Sequence, residues 1–524
     1  MKKSTKIRIV FSGLVVLLLL IPWSMRYRAK ARLEAYKRDL LASGEKLAIS
    51  ELAPIPDAQG QRNAAALLQA ANKLTAIIDF YPDGMKEIKP GRARVAWRQA
   101  ELNEEVGSPE TFTNVWPLLR AARTKDEDTL NEIRGILSAD NIQFPLDYQQ
   151  ADLSPSLADH FMMGRKLAQN AGAEVMLDLR DGLTNEAMKN LLFCVAVSKL
   201  CADEPLMISQ LVRYAEVADA VWPCWESLQF KGWTDDQLAQ LQRQWEAIDL
   251  FPAAANSLAL ERARAPMEFD QTRGSREALD GNPYTAMSYN TIWQHGLVNA
   301  REGFKQLVES AASYAHYWIW REIWCFDDER LNMRLYQDMI DATRAAQERQ
   351  AVLGRLVNED MREDYVVLAV NRGISRFPVT DYERPEIETF VAHVLRGQTQ
   401  VEIVTAAIAL ERYSLAHHQY PPRLDDLVPM FVKRVPIDYM DGKDLRYRLQ
   451  PDGSYLLYSI GENGVDDGGD PTPPANTPPG FLRGRDWVWP VVATEQEVSV
   501  YEAGEARKAA QAQANRGKAG SPRH

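Results

Sequence analysis

The chain has 524 residues, a formal net charge of −11 and 25% charged residues, enough for two or more domains and a sizeable core. Its acidic balance excludes a general nucleic-acid binder, which presents a basic face to phosphates. Four cysteines in a chain of this length exclude a disulfide scaffold.

The first element is the uncharged run IVFSGLVVLLLLIPW, Ile9 to Trp23, flanked by Lys2, Lys3, Lys6 and Arg8 on one side and Arg26, Arg28, Lys30 and Arg32 on the other. As a helix, residues 9–25 span roughly 25 Å, slightly less than the ~30 Å apolar slab of a bilayer. Arg8 and Arg26 can snorkel across the difference. This reads as an uncleaved anchor. The alternative is a secretion signal, but bulky Trp23 and Met25 follow the run, and the nearby Ala29-Lys30-Ala31 sits among arginines. Positive charge at both ends leaves the orientation open. A short basic tail that stays inside puts the body outside the cytoplasm, so the expected location is the inner membrane with the body facing the periplasm or the outside.

From Arg26 to about Ser50 the helix continues, until ELAPIPDAQG breaks it with two prolines and a glycine. Residues 60–395 then read as helical throughout. SPETFTNVWPLL suggests a helix capped by Ser108 with Pro109 in its first turn. TDDQLAQLQRQWEAIDL opens with Thr234 and two acids, where the helix dipole favours them, and its Leu238, Leu241 and Trp245 form an apolar stripe. Cys194 and Cys201 fall about 10 Å apart along one expected helix, too far for a bond between them; buried apolar thiols are the plain reading for these and for Cys224 and Cys325.

Composition shifts near Gly397. The helix TQVEIVTAAIALERYSLAHH carries Val401, Val404, Ile408 and Leu415 on one face; LRYRL and SYLLYSI read as strands joined by the turn QPDG. PTPPANTPPG must be extended, WVWPVV can add a short strand, and the tail from about Glu502 is expected to end in disorder. The expected fold is therefore mainly α: a membrane anchor (1–25), a juxtamembrane helix and linker (26–59), a large helical domain (60–395), a small C-terminal α+β domain of a helix on an antiparallel hairpin (396–495), and a tail (496–524).

That last domain contains YSIGENGVDDGGD, Tyr458 to Asp470, with four carboxylates and four glycines. Carboxylates about 5 Å apart repel by roughly 0.8 kcal/mol per pair even in water. A hard cation reverses that sign, because Ca²⁺ takes six to eight oxygens from flexible loops. Gly461, Gly464, Gly468 and Gly469 permit the positive φ angles that wrapping requires. The fixed EF-hand spacing is missing, and a solvated acidic loop with no ion is the plain alternative.

The stretch from Ala409 to Asp470 resembles the globular end of the major pseudopilin of type II secretion. The shared features are Ala409-Leu410 and Tyr413, Tyr420-Pro421, Leu424, Leu427-Val428-Pro429, Pro436 and Asp438, Arg446-Tyr447, Tyr458-Ser459-Ile460-Gly461, Asn463-Gly464, and Asp466 to Gly469. The resemblance implies a calcium ion held by Asp466, Asp467 and Asp486, with Asn463 in support. Two departures stand against it: Asn463 replaces the family's aspartate, and the proline-rich insert separates Asp486 from the loop. Nothing here resembles the family's F-T-L-x-E start, so assembly into a pilus by the family's route is not expected. The helical region with RNAAALLQAA resembles that of membrane-anchored bacterial proteins carrying the same C-terminal module, which brings no activity with it.

No H-E-x-x-H, C-x-x-C, G-x-S-x-G or phosphate-cradling glycine loop is present. His417-His418, Asp159-His160 and the aromatic stripe of His316, Tyr317, Trp320 and Trp324 are weak candidates, read respectively as an exposed helix end, sequence neighbours that do not face each other, and core. Two functions follow. One is a membrane-anchored extracytoplasmic binding or scaffold protein, partnered by the membrane through residues 9–25 and by other envelope or secretion proteins. The alternative is an envelope hydrolase with its site in the helical domain. An enzyme requires a pocket gathering titratable groups.

Overall fold

The computed structural model of the chain describes residues 3–74, 84–106, 111–138, 141–150, 154–274, 315–351 and 376–519, with side chains from Leu20 to Lys508. It is mainly helical with small sheets. The long helix α1, Lys3–Ala42, runs out of the apolar segment into the body. Leu33 and Leu40 bury against Phe269 and Trp320. Charge fixes the same face: Arg32 grips Asp327 through two nitrogens, and Lys37 meets Glu329 at 2.8 Å. Just beyond the helix, Glu45 bridges the fully buried Arg262 and Arg344. Among the described residues no helix is long and apolar enough to cross a membrane. The expected span falls largely on residues 9–19, whose side chains lie outside the description.

The body begins with α2, Ile49–Leu52, and α3, Ala58–Ala71, whose N-terminus is capped by Asp57 accepting from Gln59 N and Gly60 N. A strand pair follows, β1 (Glu87–Lys89) with β2 (Arg92–Ala93), then a hairpin of β3 (Asn103–Val106) and β4 (Thr111–Asn114). This hairpin corrects the expected helix start. Thr111, Phe112 and Thr113 are β-branched or aromatic and pair better in a ladder than in a helical turn. The helix starts later, as α4, Trp116–Leu137, with Pro117 in its first turn where a missing N–H costs nothing. Ser108 and Pro109 lie outside the described residues.

Helices α5 (Ser154–Asp181), α6 (Thr184–Val197), α7 (Met207–Leu228), α8 (Asp235–Glu246), α9 (Phe251–Gly274) and α10 (Cys325–Gln347) complete the body. The sequence reading of α8 holds in detail. The Thr234 hydroxyl accepts from Gln237 N, Asp235 and Asp236 occupy the first turn, and Leu238, Leu241 and Trp245 are buried. All four cysteines are free and buried.

Helix α11, Pro378–His417, runs unbroken through the expected composition shift at Gly397. Every residue from Gly397 to Leu410 is buried. One side packs on α7, α8 and α10, the other on strands of the C-terminal unit. Leu250 Cδ1 lies 2.9 Å from where a Cβ on Gly397 would stand, so a larger residue there requires that leucine to shift. A single hydrophobic cluster therefore runs from Leu67 and Trp225 through Phe390 and Val404 to Leu457 and Trp487.

The C-terminal unit has the expected hairpin, β7 (Arg446–Leu449) on β8 (Tyr455–Ser459), preceded by the short pair β5 (Ile437–Asp438) and β6 (Lys443–Asp444). WVWPVV splits in two. Strand β9, Trp487–Val488, extends the hairpin to three strands, while β10, Val491–Val492, runs parallel to β2 and ties the chain back to the body. The tail forms helix α12, Glu495–Ala519, consistent with its Ala, Gln, Lys and Arg content; its last residues lie outside the described ones.

Candidate functional site

The acidic loop is organised by donors rather than by converging oxygens. Its glycines do take positive φ: 68° at Gly461, 67° at Gly464, 76° at Gly468 and 83° at Gly469. That path turns backbone N–H groups toward Asp486, which is fully buried. Its carboxylate accepts from Gly469 N at 2.7 Å, Asp470 N at 3.0 Å and Asp467 N at 3.3 Å. Burial pushes the Asp486 carboxyl up, and those N–H groups oppose the shift. Asp466 Oδ1 accepts from the Tyr458 hydroxyl and from Gly468 N, both at 3.0 Å, and Asp467 Oδ2 accepts from the Asn463 amide at 2.9 Å. The Asn463 carbonyl is itself taken by Val465 N.

Cations from the protein offset the crowded charge. Arg446 on β7 donates to Asp438 at 2.8 Å and to Asp441 at 2.5 Å, and its Nε lies 3.7 Å from Asp466 Oδ2. Arg396 pairs with Glu462, and Arg485 lies near Asp470. Asp466, Asp467, Asp486 and Asn463 are thus neighbours, but their oxygens face N–H and O–H groups. Among the described residues, no three His, Cys, Asp or Glu ligand atoms of this loop lie within 4.8 Å of one another. As placed, the loop's carboxylates are turned to protein donors rather than gathered on one point. The part played by Arg446 was hidden in the sequence, where LRYRL reads as a strand with basic residues facing solvent.

The remaining sequence candidates disperse. His417 and His418 are exposed at the end of α11, with His418 in the left-handed conformation that closes the helix. Of the aromatic stripe, Tyr317 and Trp320 are buried in the core beside Phe269, while His316 and Trp324 are only partly buried at its edge. Asp159 is exposed, while His160 is buried and faces Glu204 at 3.3 Å.

Two further arrangements were not visible in the sequence. A pocket of about 220 Å³ lies where the body meets the C-terminal unit, lined by Asp249, Phe251, Gln398, Glu402, Arg434 and Tyr439. It is smaller than the roughly 300–1,000 Å³ typical of small-molecule sites. Its strongest charges are already paired, Glu402 with both terminal nitrogens of Arg434 at 3.0 and 2.7 Å. Elsewhere, carboxyls gather around Tyr336 on α10. Burial, then the charge of Glu268, pushes Glu383 up to about 8, against hydrogen bonds from Asn332 and Tyr336. Burial likewise raises Glu261 to about 7, with Arg264 opposing, and raises Glu268. Asp328, held by Trp320 and Thr380, is pushed by burial to about 7.

Compared with family models, with curated proteins and with solved structures, the chain matches none.

Three outcomes follow from these arrangements. The melting temperature should be the same in excess calcium and in chelator, because a ligand that binds only the native state must raise it; a calcium-dependent rise would contradict the donor arrangement. In both buffers Asp486→Asn should lose about 1–3 kcal/mol in denaturant unfolding, since an amide cannot accept at both positions. For Glu383, the folded carboxyl near 8 lies above its ordinary value of 4.5. Its protonated form therefore contributes stability that is fully present below that ordinary value and lost as pH rises toward 8. The stability of Glu383→Gln relative to the parent should climb across that window, and a flat difference would show that the carboxyl titrates normally.

Proposed function

We propose that the chain is a membrane-tethered extracytoplasmic scaffold or binding protein, anchored through residues 9–25, that holds its C-terminal unit at a fixed place for other envelope or secretion proteins. The observation that carries this reading is the continuity of fixed contacts from the tether to the C-terminal unit. Helix α1 leaves the apolar run and is locked to α10 by Arg32–Asp327 and Lys37–Glu329. Helix α10 packs on α11, and α11 supports the C-terminal strands. A catalyst has no need of such a rigid link between membrane and far end; a platform does. The pseudopilin-like order of helix, proline turn and hairpin in that unit supports a role beside secretion machinery, with the unit working as part of a fixed platform instead of a filament.

The hydrolase reading has one observation in its favour, the carboxyls held near neutrality around Tyr336, since raised carboxyl pKa values gather at sites of proton transfer. The hydroxyls beside them, Thr380 on Asp328 and Tyr336 on Glu383, are buried in the core rather than open to a substrate pocket.

The scaffold reading is tested by expressing the full chain beside a form lacking residues 2–25. The full chain should sediment with membranes, resist alkaline carbonate and be cleaved by protease added to spheroplasts, whereas the shortened form should be released in soluble form. A full chain extracted by carbonate, or one protected from external protease, would overturn the tether or the orientation respectively.

A further inference from the structure

The turn between α6 and α7 carries an arrangement that the scaffold reading does not use. Its Cys201 and Glu204 stand three residues apart, and His160 approaches from the N-terminal part of α5. The Cys201 Sγ, the His160 ring nitrogen and a Glu204 oxygen all lie within 4.8 Å of one another, and all three residues are buried. Each ligand is held in place. Gln210 on α7 donates to the carbonyls of both Cys201 and Glu204, at 2.8 and 2.7 Å, which fixes the turn. The His160 ring stacks on Phe144 with centroids 4.2 Å apart and 12° between planes. The Ser209 hydroxyl donates to Glu204 Oε2 at 2.6 Å.

The contact between His160 and Glu204 is not that of a satisfied ion pair. His160 Nε2 stands 3.3 Å from each Glu204 oxygen, whereas charge-assisted N–H···O bonds close to about 2.7–2.9 Å. Glu204 Oε1 has no hydrogen-bond partner although it is buried, and neither oxygen of Glu216, 1% exposed, has one. Glu216 feels the charges of both Glu204 and Cys201. The cation packed into this region is Arg213, whose Nε is engaged by the Ser198 carbonyl at 3.0 Å. An unpaired buried carboxyl is expensive when charged, and it is relieved either by taking up a proton, the direction in which burial pushes Glu216, or by a cation. Nitrogen and oxygen ligands of one tetrahedral zinc ion fall about 3.4 Å apart, given bond lengths of about 2.0–2.2 Å, which is close to the spacing seen here.

We propose that His160, Cys201 and Glu204 bind a thiophilic divalent cation of the zinc class. The chemistry selects that class. A thiolate and an imidazole disfavour Ca²⁺ and Mg²⁺, which take oxygen ligands, and favour Zn²⁺. The charge closes as well: loss of the Cys201 thiol proton to solvent gives one thiolate, which with the Glu204 carboxylate neutralises a divalent ion, while His160 binds as neutral imidazole. Ser209 acts on the ion through Glu204 by orienting that carboxylate. All three ligands are buried and come from two parts of the fold, so the ion would staple α5 to the α6–α7 turn.

The test uses the full chain in detergent, stripped with chelator and dialysed against Zn²⁺ or Co²⁺. Elemental analysis should find one Zn²⁺ per chain, and Co²⁺ should develop the near-ultraviolet thiolate-to-cobalt band. Cys201→Ser should lose that band, Ser209→Ala should weaken Zn²⁺ binding about 10–100-fold in competition with a chromophoric chelator, and Cys194→Ser, which alters a buried thiol bonded to the Ala168 carbonyl, should bind as the parent does. Substoichiometric Zn²⁺ in the parent, a Co²⁺ spectrum without a thiolate band, or full binding by Cys201→Ser would overturn the proposal. If Cys201→Ser fails to fold, the parent's stoichiometry and Co²⁺ spectrum decide the matter alone.

Discussion

Between Gly397 and Leu410, helix α11 has no face toward solvent. A helix buried on all sides must be apolar all round or must find partners for its polar side chains. Helix α11 is apolar over most of this stretch and partners Gln398, Thr399 and Glu402, while the buried Thr405 hydroxyl has no hydrogen-bond partner among the described residues. Val401, Val404, Ile408 and Leu410 fill the core. Gln398 accepts from Leu250 N and donates to the Ile248 carbonyl, the Thr399 hydroxyl accepts from Tyr439 N, and Glu402 takes Arg434 and Ile437 N. Those bonds point both ways, to the helical body and to the C-terminal unit. The two share one cluster because neither can cover this helix alone. Smaller ties run alongside: the indole of Trp225 donates to the Pro490 carbonyl, Arg412 pairs with Asp235, and β10 lies beside β2.

The same economy governs the charges. The C-terminal loop crowds carboxylates, which invites an external cation, yet Arg446 and the backbone N–H groups around Asp486 supply the compensation from within. The turn at Cys201 and Glu204 has the opposite character. There, buried acceptors outnumber the donors that face them, and an ion from outside is the simplest completion. The contrast follows from what a sequence displays, since charge density along the chain is visible and charge balance in space is not.

Elements set by local chemistry were legible. The cap at Thr234 and the stripe of Leu238, Leu241 and Trp245 lie within one helix, and the turn QPDG joins the two strands beside it. The positive φ angles of the loop glycines were legible for the same reason. Features set by distant partners were not. The pairing of Thr111–Asn114 with Asn103–Val106 outweighed a plausible helix cap. His160 reads as the neighbour of Asp159 and meets Glu204, forty-four residues away, instead. The tail, whose end is expected to be disordered, begins as a helix whose Glu497 meets Lys89, 408 residues away. Periodicity and spacing carry no information about such pairings.

The central claim is that α11 makes the body and the C-terminal unit one cooperative structure. Native-state hydrogen exchange measured against rising denaturant tests it most directly. The account predicts that amides of β8 in the C-terminal unit and of α7 in the body open with the same free energy and the same denaturant dependence. Amides of β8 that open at a lower free energy with a smaller denaturant slope, while α7 stays protected, would show the unit to be a separate appendage and contradict the account.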